Sequence, residues 1–171
     1  MSSLIDRISS DLQLKNEYIR SIVRRSNYYY KDYYIPKRNG GQRKISQASP
    51  ELKTLQYWIK ANILTLMPVS KGAFAYNKGN SIKRHAEFHK DSYFIFHTDI
   101  KNFFPSITSE HLISVLSDNH SLIEEAGLWF DDLFDVISSI CFRHNHLCIG
   151  TVSSPATVSY THLRAHETDQ Y

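Results

Sequence analysis

Apolar residues recur at helical spacing from the start of the chain, at Leu4, Ile5, Ile8 and Leu12 and then at Tyr18, Ile19, Ile22 and Val23. With Ser2 or Ser3 available as a cap, the pattern predicts an N-terminal helical region over residues 1–27, broken near Leu14. Tyr28, Tyr29, Tyr30, Tyr33 and Tyr34 then crowd around Lys31. They read as half-buried strand residues, and the alternative is a stacking platform for nucleic-acid bases. Tyr34-Ile35-Pro36-Lys37 and Arg43-Lys44-Ile45 flank Asn39-Gly40-Gly41, which supplies the positive φ that a hairpin turn needs.

Ser49-Pro50-Glu51 opens a helix carrying Leu52, Leu55, Tyr57, Ile59, Ile63 and Leu66, which must end before Pro68. Residues 71–85 are basic and dotted with glycine, and predict a loop leading to a helix start at Ser81. Tyr93 to Phe96 is aromatic and β-branched enough to predict a short buried strand, and Pro105 is expected to end regular structure soon after Asp99. Thr108 or Ser109 can cap a helix through Leu112, Val115 and Leu116. A second helical stretch, 131–142, sets Leu133, Phe134, Val136, Ile137 and Ile140 on its apolar side. The order helix, hairpin, helix, strand, helix, helix argues for an α+β fold.

At 171 residues with 42% hydrophobic and 22% charged positions, the chain reads as one globular domain. A net charge of +3 permits a nucleic-acid partner without requiring one. It has no run of about eighteen apolar residues and no signal pattern at its start, so a cytoplasmic protein with no membrane association is expected. Cys141 and Cys148 are too few for a disulfide framework and are expected to be thiols.

Asp99 is the most suggestive single residue. It follows the apolar run Tyr93–Phe96 and could offer a carboxylate, with the Ile100 carbonyl beside it, to a hard cation such as Mg²⁺. It could equally cap the turn into Lys101-Asn102. The hairpin bears Lys37, Arg38, Arg43 and Lys44, a set suited either to gripping a triphosphate or to keeping a turn soluble. His85 and His89 at i,i+4 lack a third metal ligand nearby. Cys141, His144, His146 and Cys148 carry zinc-capable atoms, but core thiols are the better reading.

Taken in order, three blocks resemble bacterial reverse transcriptases of the retron or group II intron type. They are Ile35-Pro36-Lys37-Arg38-Asn39-Gly40-Gly41-Gln42-Arg43-Lys44-Ile45, Thr98-Asp99-Ile100-Lys101-Asn102-Phe103-Phe104, and Leu147-Cys148-Ile149-Gly150-Thr151-Val152-Ser153-Ser154-Pro155. The resemblance implies an α+β fold of fingers plus partial palm over residues 28–159. It implies an RNA template, a DNA or RNA primer and dNTP as partners, and possible engagement of a structured non-coding RNA. Asp99 then looks like the catalytic aspartate and, with Ile100, a Mg²⁺ ligand. Lys37 and Arg43 match residues that hold the triphosphate, Phe104 matches the ring that crowds the sugar 2′ carbon, and Gly150 lies in the loop that closes on the nucleotide. Arg38, Lys44, Lys71, Lys78, Lys83 and Arg84 are the expected contacts to nucleic acid. Ala86-Glu87-Phe88-His89 resembles the Asn-Ala-x-x-His element of retron enzymes, with His85 where Asn is usual. Mobility, defence and retron DNA synthesis are the roles open to such proteins.

The chain departs from the pattern at Cys148 and Ile149, where Pro and Gln are usual, and it contains no downstream aromatic-x-Asp-Asp turn and no thumb. Asp131-Asp132 lies before the third block in a helical pattern and cannot be that turn. Residues 160–171 resemble translated sequencing-adapter read-through and are expected to be a non-native tail. The expectation is an enzyme of the RNA-directed DNA polymerase family whose 171-residue stretch does not itself extend a primer. The rival is a non-catalytic RNA-binding module derived from such a polymerase.

Overall fold

The computed structural model describes residues 3–38, 40–69, 81–96 and 102–159. It opens with two short helices, α1 (Leu4–Leu12) and α2 (Asn16–Arg24), separated at Gln13, which sits in the left-handed region at φ 54°. Ser3 caps α1 through a reciprocal box with Asp6. The break near Leu14 is therefore as the apolar pattern predicts. Ile5, Ile8, Ile19 and Ile22 are buried.

A 3₁₀ turn at Ser26–Tyr28 leads into β1 (Tyr30–Pro36), which pairs antiparallel with β2 (Gln42–Ala48) in a two-stranded sheet. The register runs from Tyr30 opposite Ala48 to Pro36 opposite Gln42. The tip is closed by the Lys37 N–H donating to the Gly41 carbonyl, with Gly40 and Gly41 at φ 83° and 76°. Only the base of the hairpin is covered, since Ile45, Ser46 and Ala48 are buried while the rest of β2 is exposed. The tyrosines accordingly divide. Tyr29 and Tyr30 pack against the core, whereas Tyr33 and Tyr34 are 41% and 60% exposed.

Helix α3 (Pro50–Asn62) starts on the Ser49 cap and buries Leu52, Leu55, Gln56, Trp58 and Ile59, and a 3₁₀ turn at Leu64–Leu66 ends it before Pro68. Ser81 caps α4 (Ile82–His89), as its sequence predicts, but α4 buries none of its residues. Helix α6 (Ser109–Asp118) begins at Thr108, α7 (His120–Glu125) follows it, and α8 (Leu133–Cys141) buries Leu133, Val136, Ile137, Ile140 and Cys141. Helices α1, α2 and α3 all pack on α8. The Leu4 N–H donates to the Asp132 carboxylate at 2.8 Å, which ties the start of α1 to the start of α8. Residues 154–159 are helical. Among the described residues no helix is long and apolar enough to cross a membrane.

Two expectations fail for identifiable reasons. Tyr93–Phe96 is neither a strand nor buried, its side chains being 69% to 98% exposed. A strand needs a neighbour to take its backbone hydrogen bonds, and among the described residues the sheet contains β1 and β2 alone, with Tyr93–Phe96 added to neither edge. Pro105 does not end structure either. It stands in the one-turn helix α5 (Phe103–Ser106), where a first-turn residue has no intrahelical N–H partner to lose.

Candidate nucleotide and nucleic-acid interface

The hairpin and the Gly150 segment, far apart in sequence, meet in space. The Ser46 N–H points away from β1 and donates to the Ile149 carbonyl at 2.9 Å. Gly150 follows at φ 103°, and a Cβ there would lie 2.7 Å from Cγ2 of Ile45. Only glycine satisfies both the backbone angle and this close approach. Below them Gln56 is fully buried. Its Nε2 donates to the Ile140 carbonyl at 3.0 Å and toward the Tyr30 hydroxyl at 3.4 Å, while its Oε1 accepts from the Val152 N–H at 3.4 Å.

Above the buried layer lies a charged cluster. The Asp32 carboxylate receives the Lys44 ammonium at 2.8 Å, the Ser46 hydroxyl at 2.8 Å and Nη1 of Arg143 at 2.5 Å. The Lys44 bond, then those from Ser46 and Arg143, hold the carboxyl down at about 2 against the opposing effect of burial. The Arg143 guanidinium also lies 5.1 Å over the Tyr30 ring. Burial raises the Tyr30 hydroxyl pKa well above its usual range, and it remains protonated.

The predicted contact residues fall into groups. Lys37 and Arg38 are exposed at the hairpin tip and Arg43 at the start of β2, on the same hairpin that Gly150 touches at its base. Lys44 is also exposed, but its ammonium is paired with Asp32. Lys83 and Arg84 project from α4, apart from the hairpin in sequence, with Lys83 3.8 Å from Glu87. Phe104 is partly buried, its ring edge-on to Phe103 at 5.7 Å. Asp99, Ile100, Lys71 and Lys78 lie outside the described residues, as does the 160–171 tail.

The zinc-capable spacing near position 144 has a structural explanation. His144 and Asn145, at φ 49° and 63°, form a two-residue turn in which Arg143 and His146 exchange backbone bonds of 3.0 and 3.1 Å. Cys141 is fully buried, and burial pushes its thiol up to about 12. Among the described residues no group of three or more His, Cys, Asp or Glu is arranged to hold a metal ion.

Sequence reasoning missed Asp32, Gln56 and Arg143. Each is an ordinary polar residue locally, and its role arises from contacts across 84 to 111 residues of chain.

No family model matches the chain. It is 33% identical over 162 residues to the retron Ec73 reverse transcriptase of Escherichia coli, a match covering 92% of this chain and 50% of that protein. Against the retron Ec86 reverse transcriptase of Escherichia coli it is 32% identical over 158 residues, covering 91% and 46%. Against the retron Mx162 reverse transcriptase of Myxococcus xanthus it is 38% identical over 80 residues, covering 47% and 16%. Over most of its length the chain is thus similar to reverse transcriptases of the retron type, and it spans about half the length of the Escherichia coli relatives it matches.

Proposed function

We propose that this chain forms the nucleotide-receiving face of an RNA-directed DNA polymerase that adds dNTPs to a primer 3′-hydroxyl on an RNA template. Lys37 and Arg43 hold the triphosphate. Their ammonium and guanidinium groups suit phosphate oxygens, and both side chains stand exposed on one hairpin. Gly150 brings its backbone to the same hairpin without a side chain to obstruct the nucleotide. Phe104 selects the deoxy sugar by filling the space a 2′-hydroxyl would need. Arg38, Lys44, Lys71, Lys78, Lys83 and Arg84 neutralise template and primer phosphates, so binding weakens as salt rises. Asp99 and the Ile100 carbonyl have the hard-oxygen chemistry that suits Mg²⁺, and the ion when bound would neutralise phosphate charge and polarise the reacting phosphoryl group.

The observation that carries this reading is the contact of the Gly150 segment with the base of the basic hairpin, in a chain similar to retron reverse transcriptases over more than nine-tenths of its length. The test is Asp99→Ala in a full-length enzyme that contains this stretch. Primer extension should be lost while salt-dependent RNA binding is kept. Extension that persists in Asp99→Ala would remove the residue from catalysis.

A further inference from the structure

A two-stranded hairpin is marginally stable alone, so a basic hairpin that must meet a nucleotide at a defined place needs an anchor at its base. We infer that Asp32 and Arg143 are positioning residues: they clamp the hairpin to the 143–150 segment and so fix where Lys37 and Arg43 stand relative to Gly150. The nucleotide part of this inference rests on the function proposed above.

Arg143 is itself firmly held. Its two-residue turn is secured by Asn145, whose Oδ1 accepts from the Ser109 N–H at 3.1 Å and the Ser109 hydroxyl at 2.6 Å. The His144 N–H donates to Asn27 Oδ1 at 2.9 Å, and the Leu147 N–H donates to the Ile107 carbonyl at 3.1 Å. This anchored turn presents a guanidinium only 18% exposed to a carboxylate only 29% exposed, so solvent weakens the pair less than it would a surface bridge. Asp32 lies opposite Ser46 in the strand register. Ser46 in turn offers its hydroxyl to Asp32 and its backbone N–H to Ile149. The path from Arg143 through Asp32 and Ser46 to Ile149 is therefore closed by hydrogen bonds at every step.

Leverage makes the clamp consequential. Lys37 is five residues beyond Asp32, about 17 Å along an extended strand, so a tilt of about 10° at the base moves the tip by about 3 Å. A misplacement of about 1 Å can impair a catalytic site severely. Arg143 and Asp32 need not touch the nucleotide to govern how tightly it binds.

The experiment is amide hydrogen exchange and dGTP titration with Mg²⁺ on the 171-residue chain. Asp32→Asn and Arg143→Met should each speed exchange at the Ser46 amide about tenfold without nucleotide, since each removes the charge-assisted Arg143–Asp32 bond and Asp32→Asn weakens the Lys44 pairing as well, while Ile59 in α3 stays protected. Both should weaken dGTP binding about three- to tenfold, and Arg143→Lys should recover part of each loss. Lys37→Gln combined with Arg43→Gln should weaken dGTP binding and leave Ser46 exchange unchanged. Unchanged Ser46 exchange in Asp32→Asn and Arg143→Met overturns the clamp. Equal loss of protection at Ile59 also overturns it, by showing a general stabilising role. If the Lys37 and Arg43 change leaves dGTP binding intact, the nucleotide reading fails, and Ser46 exchange alone then decides the clamp.

Discussion

The backbone N–H of Ser46 on β2 donates to the carbonyl of Ile149, the residue before Gly150, at 2.9 Å. This bond joins two sequence blocks that sequence alone could only place in order. It also sets Gly150 against Ile45, where any added side chain would have to push Ile45 aside.

Gly150→Ala should destabilise the chain by about 2 kcal/mol, because it combines a positive φ with a Cβ that forces Ile45 aside. In a chain of this length that lowers the melting temperature by about 4–8 °C. Gly127→Ala is the control, since it has a positive φ of 66° but open space around it, and it should cost less. Circular dichroism melts of the two variants make the comparison, and equal losses would show that Ile45 does not restrict Gly150.

Gln56→Leu should cost about 3 kcal/mol, since it leaves the Ile140 carbonyl and the Val152 N–H without their buried partner. Chemical denaturation gives the stability, and faster exchange at the Val152 amide locates the loss in the segment after Gly150.

The Asp32 carboxyl is lowered from its ordinary 3.8 to about 2 in the folded chain. A depressed carboxylate pKa favours folding only when the group is ionised. Its contribution is thus complete above about pH 4 and lost as the pH falls toward 2. Asp32→Asn should be less stable than the unsubstituted chain at neutral pH, and the difference should shrink between pH 4 and pH 2. A difference that stays constant across that window would show that Asp32 is not the titrating group.

Cys141 should resist alkylation by iodoacetamide at neutral pH until the chain unfolds, because its thiol is fully buried and pushed up to about 12. Cys148 is partly exposed, with its thiol also raised by burial, and should react slowly but first. Mass spectrometry of the native and unfolded chain distinguishes the two sites.

What the sequence made legible was local. Ser3, Ser49 and Ser81 announced helix starts through capping, and Gly40 and Gly41 announced a turn, because each signal lies within a few residues of its effect. The Tyr93–Phe96 strand was misread because burial and pairing depend on a neighbouring strand, which four apolar residues cannot specify. Asp32, Gln56 and Arg143 were invisible for the same reason. Their partners come from elements remote in sequence, and nothing in their own neighbourhoods marks them. Among the proposed site residues, Lys37, Arg43 and Gly150 stand in the ordered motifs, but the contact of the Gly150 segment with the hairpin that carries Lys37 and Arg43 required the fold.

The most direct test of the central claim is a ¹⁵N–¹H chemical-shift titration of the 171-residue chain with dGTP and Mg²⁺. The amides of Gly40, Gly41 and Gly150 should shift together along one binding curve, and Lys37→Gln with Arg43→Gln should weaken that curve at all three. Shifts confined to the hairpin, to Gly150 alone or to neither would contradict a shared nucleotide-receiving face.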